Sequence, residues 1–353
     1  MVGSGGLRKH LDGRNSTSLF MLAILALVLL LVLVFSVTKN LEQDSPSLSQ
    51  TPSSEAEFYA NKDFGIINVH EHIQSFKESK RFLEAMDIAN VSVTILLGSP
   101  EATLFSGRTG FKEYDANNEE VLKIIREYPD RFMFLPTMYP GDPRKLEKLK
   151  DYMGRGGVGL KLYSGHTFFY ENPLNESSMT PVYAYLEEND IPLLIHVNPG
   201  RPHIRAEFEN LLDRFPDLTI NCPHFCLSSI ADDRLSYFLD KYPNLYSDVS
   251  FGFYAQDGLE RISRNTTKFK EMLTKYQDRF MFGTDMVVTE HPRKTTEWIY
   301  NLTMCYRDML EKEEYYCKVG TDFEGHFKGL ALDASILRKI YYENPQRFFK
   351  GKL

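Results

Sequence analysis

The sequence predicts a (β/α)8 barrel, preceded by one N-terminal transmembrane helix. From residue 66 onward, eight short apolar segments alternate with amphipathic helical segments, and eight such units in about 290 residues are expected for this barrel. The apolar segments are continuous, which is typical of parallel strands buried on both faces. An open doubly wound sheet is the alternative, but the glycine-rich turn expected after its first strand is missing from the sequence.

The first 57 residues are predicted to lie outside the barrel. Residues 19–35 are uninterrupted apolar or alanine and, with residues 36 and 37, can just span a hydrocarbon layer of about 30 Å. Residues 1–18 carry an excess of Lys and Arg, which predicts a cytoplasmic start and an extracytoplasmic catalytic domain. A cleaved signal peptide is the alternative, although its apolar core is usually shorter. We therefore predict an uncleaved signal-anchor at residues 19–37, making a single-pass membrane protein.

The remaining elements follow in order. Residues 38–57 are rich in Ser, Pro, Gln and Glu and are predicted to be a flexible linker, so the barrel should occupy residues 58–353. Strands are expected at residues 66–69, 91–97, 132–136, 157–163, 192–197, 218–222, 245–249 and 280–283. Helices with apolar residues at helical spacing are expected at residues 76–89, 115–128, 143–153, 181–189, 204–214, 232–241, 260–276 and 334–349. Residues 300–330 are interpreted as an insertion.

Polar side chains at the predicted strand ends mark the candidate site. His70 and His72 lie two positions apart at the end of the first strand, so both imidazoles should point to one side. Later strands end with Lys161, His196, His224 and Asp285. Imidazole and carboxylate groups are typical ligands of zinc and related metals. Because a barrel brings its strand ends to one mouth, the pattern predicts a metal site there.

The loops at this mouth are predicted to select a small-molecule substrate. The candidate residues are Tyr163, His166, Arg201, His203 and His291. Arg201 could clamp a carboxylate or phosphate, or it could be a solvated loop cation. The net charge of −7 and the lack of a basic cluster argue against nucleic acid as a partner. The membrane is the other predicted partner, through the N-terminal helix, and a homo-oligomer is left open.

Seven short segments, taken in their order along residues 66–349, together resemble the motifs of a known protein family. They are Asn-Val-His-Glu-His (68–72), Tyr-Pro-Asp-Arg-Phe (128–132), Gly-Val-Gly-Leu-Lys-Leu (157–162), Ile-Pro-Leu-Leu-Ile-His (191–196), Phe-Pro-Asp-Leu-Thr-Ile-Asn-Cys-Pro-His (215–224), Asp-Arg-Phe-Met-Phe-Gly-Thr-Asp (278–285) and Glu-Asn-Pro-Gln-Arg-Phe-Phe (343–349). Together they resemble the amidohydrolase superfamily, most closely its amidohydrolase-2 branch, which includes the aminocarboxymuconate-semialdehyde decarboxylase type. The first segment also resembles the phosphotriesterase group, but the later ones do not favour it.

The resemblance implies a metal-dependent enzyme. The ligands of one divalent metal, with zinc preferred, would be His70, His72, His196 and Asp285. Asp285 would also accept the proton of water, and His224 would polarise the substrate or shuttle a proton. Lys161 would stay unmodified, although a carboxylated Lys161 would bridge two metals. Asp285 could instead cap a helix.

Three functions are compatible with this ligand set. Hydrolysis of a small amide, lactone or ester is the predicted reaction. Non-oxidative decarboxylation of a carboxylated aromatic or dienoic acid is the first alternative. A catalytically inactive extracytoplasmic binding protein is the second, and the intact ligand set argues against it.

The four cysteines are interpreted in two pairs. Cys222 and Cys226 would lie about 13 Å apart in an extended chain, too far for a bond unless the chain turns. We therefore predict that they are buried and unpaired. Cys305 and Cys317 bracket the insertion, and whether they form a bridge is left open. Glycosylation of the Asn-X-Ser/Thr sequences at Asn90, Asn175, Asn265 and Asn301 is also left open.

Deleting residues 1–56 should leave a soluble, folded protein, because the predicted core begins only after the linker. Circular dichroism and size-exclusion chromatography of the truncated chain measure this. Unfolded or insoluble material would contradict the predicted boundary.

Overall fold

The computed structural model describes residues 65–100, 114–166, 170–227 and 233–353. The predicted signal-anchor, the linker and the boundary at residue 58 lie outside these residues. Within the described ranges, no helix has both the length and the apolar character needed to cross a membrane.

Eight parallel strands form the wall of a barrel, as predicted. They are β1 (Ile66–Ile73), β2 (Val91–Leu97), β3 (Phe132–Leu135), β4 (Leu160–Gly165), β5 (Leu193–Val197), β6 (Ile220–Asn221), β7 (Leu245–Asp248) and β8 (Phe280–Met281). The strands pair in the orders β3-β2-β1 and β4-β5-β6-β7-β8. Two parallel bridges, Phe134 to Gly157 and Thr137 to Lys161, join the region of β3 to that of β4.

The ring closes between the end of β8 and β1. The Val69 amide donates to the Phe282 carbonyl at 2.9 Å, and the Asp285 amide donates to the His70 carbonyl at 2.8 Å. A short strand, β9 (Met286–Val288), then pairs parallel with β1. The polar residues at the strand ends consequently face a common mouth.

The helices between the strands agree with the prediction except near the C-terminus. They are α1 (Ser79–Ile88), α2 (Asp115–Glu127), α3 (Lys145–Gly154), α4 (Thr180–Glu188), α5 (Pro202–Arg214), α6 (Arg234–Lys241), α7 (Ala255–Arg264) and α8 (Thr266–Lys275). The single helix expected at residues 260–276 is therefore two helices, which break at Asn265, where φ is −137°. The closing helix is also divided, into α10 (Ala334–Arg338), a π-helical turn (Lys339–Glu343) and α11 (Asn344–Phe348).

The predicted insertion consists of a helix and a hairpin. Helix α9 (Thr296–Glu311) is followed by β10 (Glu314–Val319) and β11 (Phe323–Lys328), which pair antiparallel. A disulfide joins Cys305 of α9 to Cys317 of β10, with the Cα atoms 5.3 Å apart. The hairpin of the insertion is thus held to its helix by a covalent bond between two buried side chains.

Cys222 and Cys226 also form a disulfide, so the prediction that they are unpaired is wrong. That prediction assumed an extended chain, whereas His224, Phe225, Cys226 and Leu227 have φ values of 60°, 52°, 55° and 45°. Successive left-handed residues turn the chain back and bring the two cysteine Cα atoms to 4.7 Å. Non-glycine residues adopt this conformation at a cost of roughly 1–2 kcal/mol each. We call residues 222–227 the left-handed turn.

Replacing Cys305 and Cys317 together with Ser should lower the free energy of unfolding by about 3 kcal/mol, because the bridge closes a loop with a sequence separation of 12 and restricts the unfolded chain. Urea denaturation of the truncated domain measures this change. The matched control is the Cys222→Ser, Cys226→Ser variant, whose loop is shorter and whose loss should be smaller. Equal stability of wild type and the Cys305 variant would contradict a bridge in solution.

Candidate metal centre

A bulge in β1 places both histidines of this strand inside the barrel. Ile67 and Val69 pack in the inner apolar cluster with residues of β2, β3, β5, β7 and β8, whereas Ile73 packs in the outer cluster beneath the helices. The register of β1 against β2 shifts between Asn68 and Glu71, and a shift of one residue exchanges the two faces of a strand. His70 and His72 therefore share the inner face with Val69.

His70 lies between two carboxylates. Its Nδ1 is 2.9 Å from Oδ2 of Asp248, the last residue of β7, and its Nε2 is 3.2 Å from Oδ1 of Asp285. Burial alone would lower the pKa of His70, but Asp285 and Asp248 together raise it. The site between His70 Nε2 and Asp285 thus favours a positive charge.

His72 and His224 repeat the same arrangement with neutral partners. Nδ1 of His72 is 2.7 Å from the Ser99 hydroxyl, and Nδ1 of His224 is 2.9 Å from the Ser250 hydroxyl. Their Nε2 atoms lie 2.9 Å and 3.6 Å from the Asp285 carboxylate. Burial lowers the pKa of His72 to about 4 and also lowers that of His224, so both favour the neutral form that binds metals.

The Asp285 carboxylate is held by its surroundings. Asp285 has a φ of 54°. The residues on either side of Asp285 are held by Glu71, which accepts hydrogen bonds from the Thr284 hydroxyl and, at 2.7 Å, from the Met286 amide. A side chain at Gly252 would overlap Oδ2 of Asp285. Burial alone would raise the pKa of Asp285, but the surrounding histidines hold it well below its usual range.

Lys161 is fully buried beside this cluster. Its Nζ lies 3.4 Å from Nε2 of His70 and 4.6 Å from the centre of the Tyr163 ring. Burial lowers the pKa of Lys161 to about 8, against the opposing effect of Asp285 and Asp248. A lysine in this setting can act as a cation or, when deprotonated, as a nucleophile towards CO2.

The donor set fits a divalent metal. One ligand atom each from His70, His72 and Asp285 lies within 4.8 Å of the other two, and the same holds for His70, His224 and Asp248. Ligand atoms about 2.1 Å from a tetrahedral zinc lie roughly 3.4 Å apart, close to the separations of 2.9 Å and 3.2 Å that the imidazoles make with Asp285. Metal-binding histidines usually hold their other nitrogen with a hydrogen bond, as these do.

His196 lies next to this cluster but belongs to neither of the two groups of three possible metal ligands described above. Its ring centre is 5.0 Å from that of His224 and 4.3 Å from that of His166. Burial and the neighbouring imidazoles hold the pKa of His196 well below its usual range. Its role as a ligand stays a prediction.

The other predicted loop residues divide into two sets. The Tyr163 hydroxyl is 3.5 Å from Nδ1 of His72, so Tyr163 borders the cluster, as does His166 through His196. Arg201, His203 and His291 are exposed. The ring of His203 contacts Tyr170, and that of His291 accepts from the Arg293 amide, so neither contact involves a residue of the cluster.

Sequence reasoning missed the residues that hold the imidazoles, which are Ser99, Asp248 and Ser250. Asp248 accepts hydrogen bonds from the Asn221 side chain, the His224 amide and the Ser250 hydroxyl as well as contacting His70. All three residues lie at or just after strand ends, so the same positional rule applies to them. Serines and aspartates are common in loops, however, and carry less signal than a histidine.

Comparison with known proteins concerns the family and the fold of the chain. A family model described as Amidohydrolase matches residues 76–351, and no curated protein matches the chain by sequence. An uncharacterized TIM-barrel protein from Bordetella bronchiseptica is similar with a TM-score of 0.55 at 15% identity, covering 82% of this chain and 99% of its own. An amidohydrolase from Burkholderia multivorans solved with bound zinc gives 0.55 at 12% identity, with 81% and 99% covered. At these identities the structural likeness concerns the fold, and it confirms the predicted barrel.

Asp248→Asn should weaken zinc binding about 10- to 100-fold, because the amide no longer fixes the His70 tautomer that presents Nε2 to the site. Competition with a chromophoric chelator measures the affinity. Asp278→Asn is the matched control, since this carboxylate lies at the surface and pairs with Lys339. Unchanged affinity of the Asp248 variant would contradict the assigned role.

Proposed function

Because the chain belongs to the amidohydrolase family, whose model matches residues 76–351, we propose that it is a metal-dependent hydrolase of a small amide, lactone or ester. The observation that carries this proposal is the convergence of three imidazole Nε2 atoms on one carboxylate at the mouth of a barrel. Such a set of nitrogen and oxygen donors suits zinc among the common divalent metals.

The ligand set that we propose is His70, His72, His196 and Asp285, around one metal. A bound metal would supply a Lewis acid and would acidify water towards a pKa of about 7. The chain's own residues would then move the proton. Asp285 Oδ2 can accept it, and His224 Nε2, 3.6 Å away, can deliver a proton to the leaving nitrogen or oxygen.

The number of metals that the site would hold depends on whether Lys161 is unmodified or carboxylated. We propose that it stays unmodified, as a buried group whose positive charge faces the substrate side of the cluster. Carboxylation would instead convert it into an anionic ligand for a second metal. Mass analysis of the intact protein at neutral pH, under conditions that preserve carbamates, separates the two forms.

Decarboxylation is the second candidate, and Lys161 is the observation that favours it. A buried ammonium 3.4 Å from His70 can bind the carboxylate of an aromatic or dienoic acid. A panel of lactones, esters, amides and aromatic acids, assayed in parallel with CO2 detection, distinguishes the two reactions. Hydrolysis without CO2 release supports the first proposal.

We further propose that residues 19–37 anchor the enzyme in a membrane, with the barrel on the extracytoplasmic side. The apolar length of this segment supports the anchor, and the two disulfides support an oxidising compartment. Protease protection of sealed membrane vesicles tests the orientation.

His70→Ala should abolish zinc binding and activity together, because it removes a ligand that contacts both Asp248 and Asp285. His224→Ala should retain the metal and lower the rate about 10²–10⁴-fold, the usual range for a lost proton-transfer group. Elemental analysis and steady-state kinetics give the two readouts.

His326→Ala, in the hairpin of the insertion, is the control and should change neither quantity. A wild-type protein that binds no metal after zinc is supplied would overturn the proposal, and two metals per chain would overturn the one-metal assignment.

A further inference from the structure

The loop between β7 and α7, residues 249–254, touches the metal cluster at two places, and we call it the β7–α7 loop. Its Ser250 hydroxyl donates to Oδ1 of Asp248 and lies 2.9 Å from Nδ1 of His224. Its Gly252 has a φ of 56°, and a Cβ atom there would overlap Oδ2 of Asp285. A displacement of this loop would therefore change the surroundings of both His224 and Asp285.

The contacts of Ser250 fix the tautomer of His224. Because the Ser250 hydroxyl gives its proton to Asp248, its oxygen is left to accept from Nδ1 of His224. The Ser250 carbonyl oxygen, 3.2 Å from the same nitrogen, can also only accept. In the neutral ring Nδ1 therefore carries the hydrogen, and Nε2, which faces Asp285, keeps the lone pair.

Tyr306 of α9 holds the β7–α7 loop from the side of the insertion. The amide of Phe251, next to Ser250, donates to the Tyr306 hydroxyl oxygen at 2.9 Å. The rings of Phe251 and Tyr306 are nearly parallel, with their centres 6.3 Å apart and their planes at 24°. Phe251 also stacks on Phe225 of the left-handed turn, at 5.6 Å. Phe251 thus links the insertion to both segments that surround His224.

Tyr306 is itself held in place. Its side chain is fully buried, and both of its neighbours in α9 are anchored. Cys305 is bridged to Cys317 of β10, and Arg307 donates to the Ala89 carbonyl, just after α1, at 2.7 Å. Burial raises the pKa of Tyr306 well above its usual range, so its hydroxyl stays neutral. The loop is therefore bonded to a fixed and uncharged group.

We propose that Tyr306 is a positioning residue of the metal centre and that it acts through the β7–α7 loop. Its hydroxyl oxygen fixes the Phe251 amide, the adjoining Ser250 is fixed with it, and Ser250 fixes the tautomer of His224. The insertion is thus part of the structure that orients the site. The inference rests on the proposed function only in its kinetic consequence, because the tautomer of His224 can be observed without a reaction.

Tyr306→Phe tests the hydrogen bond apart from packing, because it keeps the ring and removes the oxygen. Nitrogen-15 NMR of the imidazoles, in protein supplied with zinc, should show one tautomer at His224 in wild type. In Tyr306→Phe the Nδ1 and Nε2 shifts of His224 should move towards each other, as expected when two tautomers exchange. The spectrum of His224→Ala assigns these signals.

Tyr315→Phe is the matched control. Tyr315 is buried in β10 of the same insertion, and its hydroxyl has no hydrogen-bond partner among the residues that the structure describes. This variant also loses one buried hydroxyl, so its His224 signals should stay as in wild type. Unchanged His224 signals in Tyr306→Phe, or the same change in Tyr315→Phe, would overturn the proposal.

Hydrogen exchange in the wild-type protein tests the same bond if Tyr306→Phe does not fold. The Phe251 amide should exchange at least about 100-fold more slowly than in an unstructured peptide, because a buried oxygen accepts its hydrogen bond. Exchange of this amide at the unstructured rate would overturn the proposal.

Kinetics separate this inference from the proposed function. Proton transfer at Nε2 of His224 needs the tautomer that Ser250 fixes, so Tyr306→Phe should lower kcat about tenfold, less than loss of the imidazole itself would, and leave KM within about twofold. Ser250→Ala should also lower kcat, and the losses in the double variant should be less than multiplicative, since both act on one route. Multiplicative losses would overturn the route through Ser250.

The two proposals fail in different ways. Hydrolysis at the wild-type kcat in Tyr306→Phe would overturn the positioning role and keep the hydrolase. A His224 tautomer that depends on Tyr306, together with no hydrolysis of any ester, lactone or amide by wild type, would keep the positioning role and overturn the hydrolase.

Discussion

The hydrogen bond at Nδ1 of each clustered imidazole is the interaction on which the site depends. An imidazole has two nitrogens at fixed positions on one ring, so holding Nδ1 also fixes where Nε2 points. The partners of His70, His72 and His224 are Asp248, Ser99 and Ser250. These partners come from other strand ends, so the site exists only when the ring of strands is closed. Fold and site are therefore specified together.

The fold could be predicted because its signals are periodic. Each strand is a continuous apolar run followed by a helical pattern, and the polar residues at strand ends stand out against that background. The bulge between Asn68 and Glu71 could not be predicted in the same way, since neither Gly nor Pro marks it. His70 and His72 point to the same face of β1, as predicted. That face is also the face of Val69, whereas simple alternation along a strand would place Val69 on the opposite face.

The proximity of the site residues could be predicted from the sequence, but their supporting contacts could not. Barrel topology brings His70, His72 and His224 to the Asp285 carboxylate, and their roles in metal binding and catalysis stay predictions. Their supports were missed because Asp248 and the two serines have ordinary loop residue types, and only coordinates show which loops face an imidazole. The left-handed turn was missed because four successive non-glycine residues with positive φ are unfavourable locally, and no local pattern announces a conformation that tertiary structure and a disulfide impose.

The left-handed turn has a practical consequence for handling the protein. Its disulfide encloses His224 within a loop whose cysteines are four residues apart, and the amide of His224 donates to Asp248, the partner of His70. Thiol reductants open disulfides by exchange, and dithiols such as dithiothreitol also bind zinc. A purification buffer that contains dithiothreitol would compete for the proposed metal and, whenever the buried disulfide becomes accessible, would also open the turn. If a preparation made in such a buffer were inactive, the reductant could be the cause. The first assays should therefore be carried out in thiol-free solution.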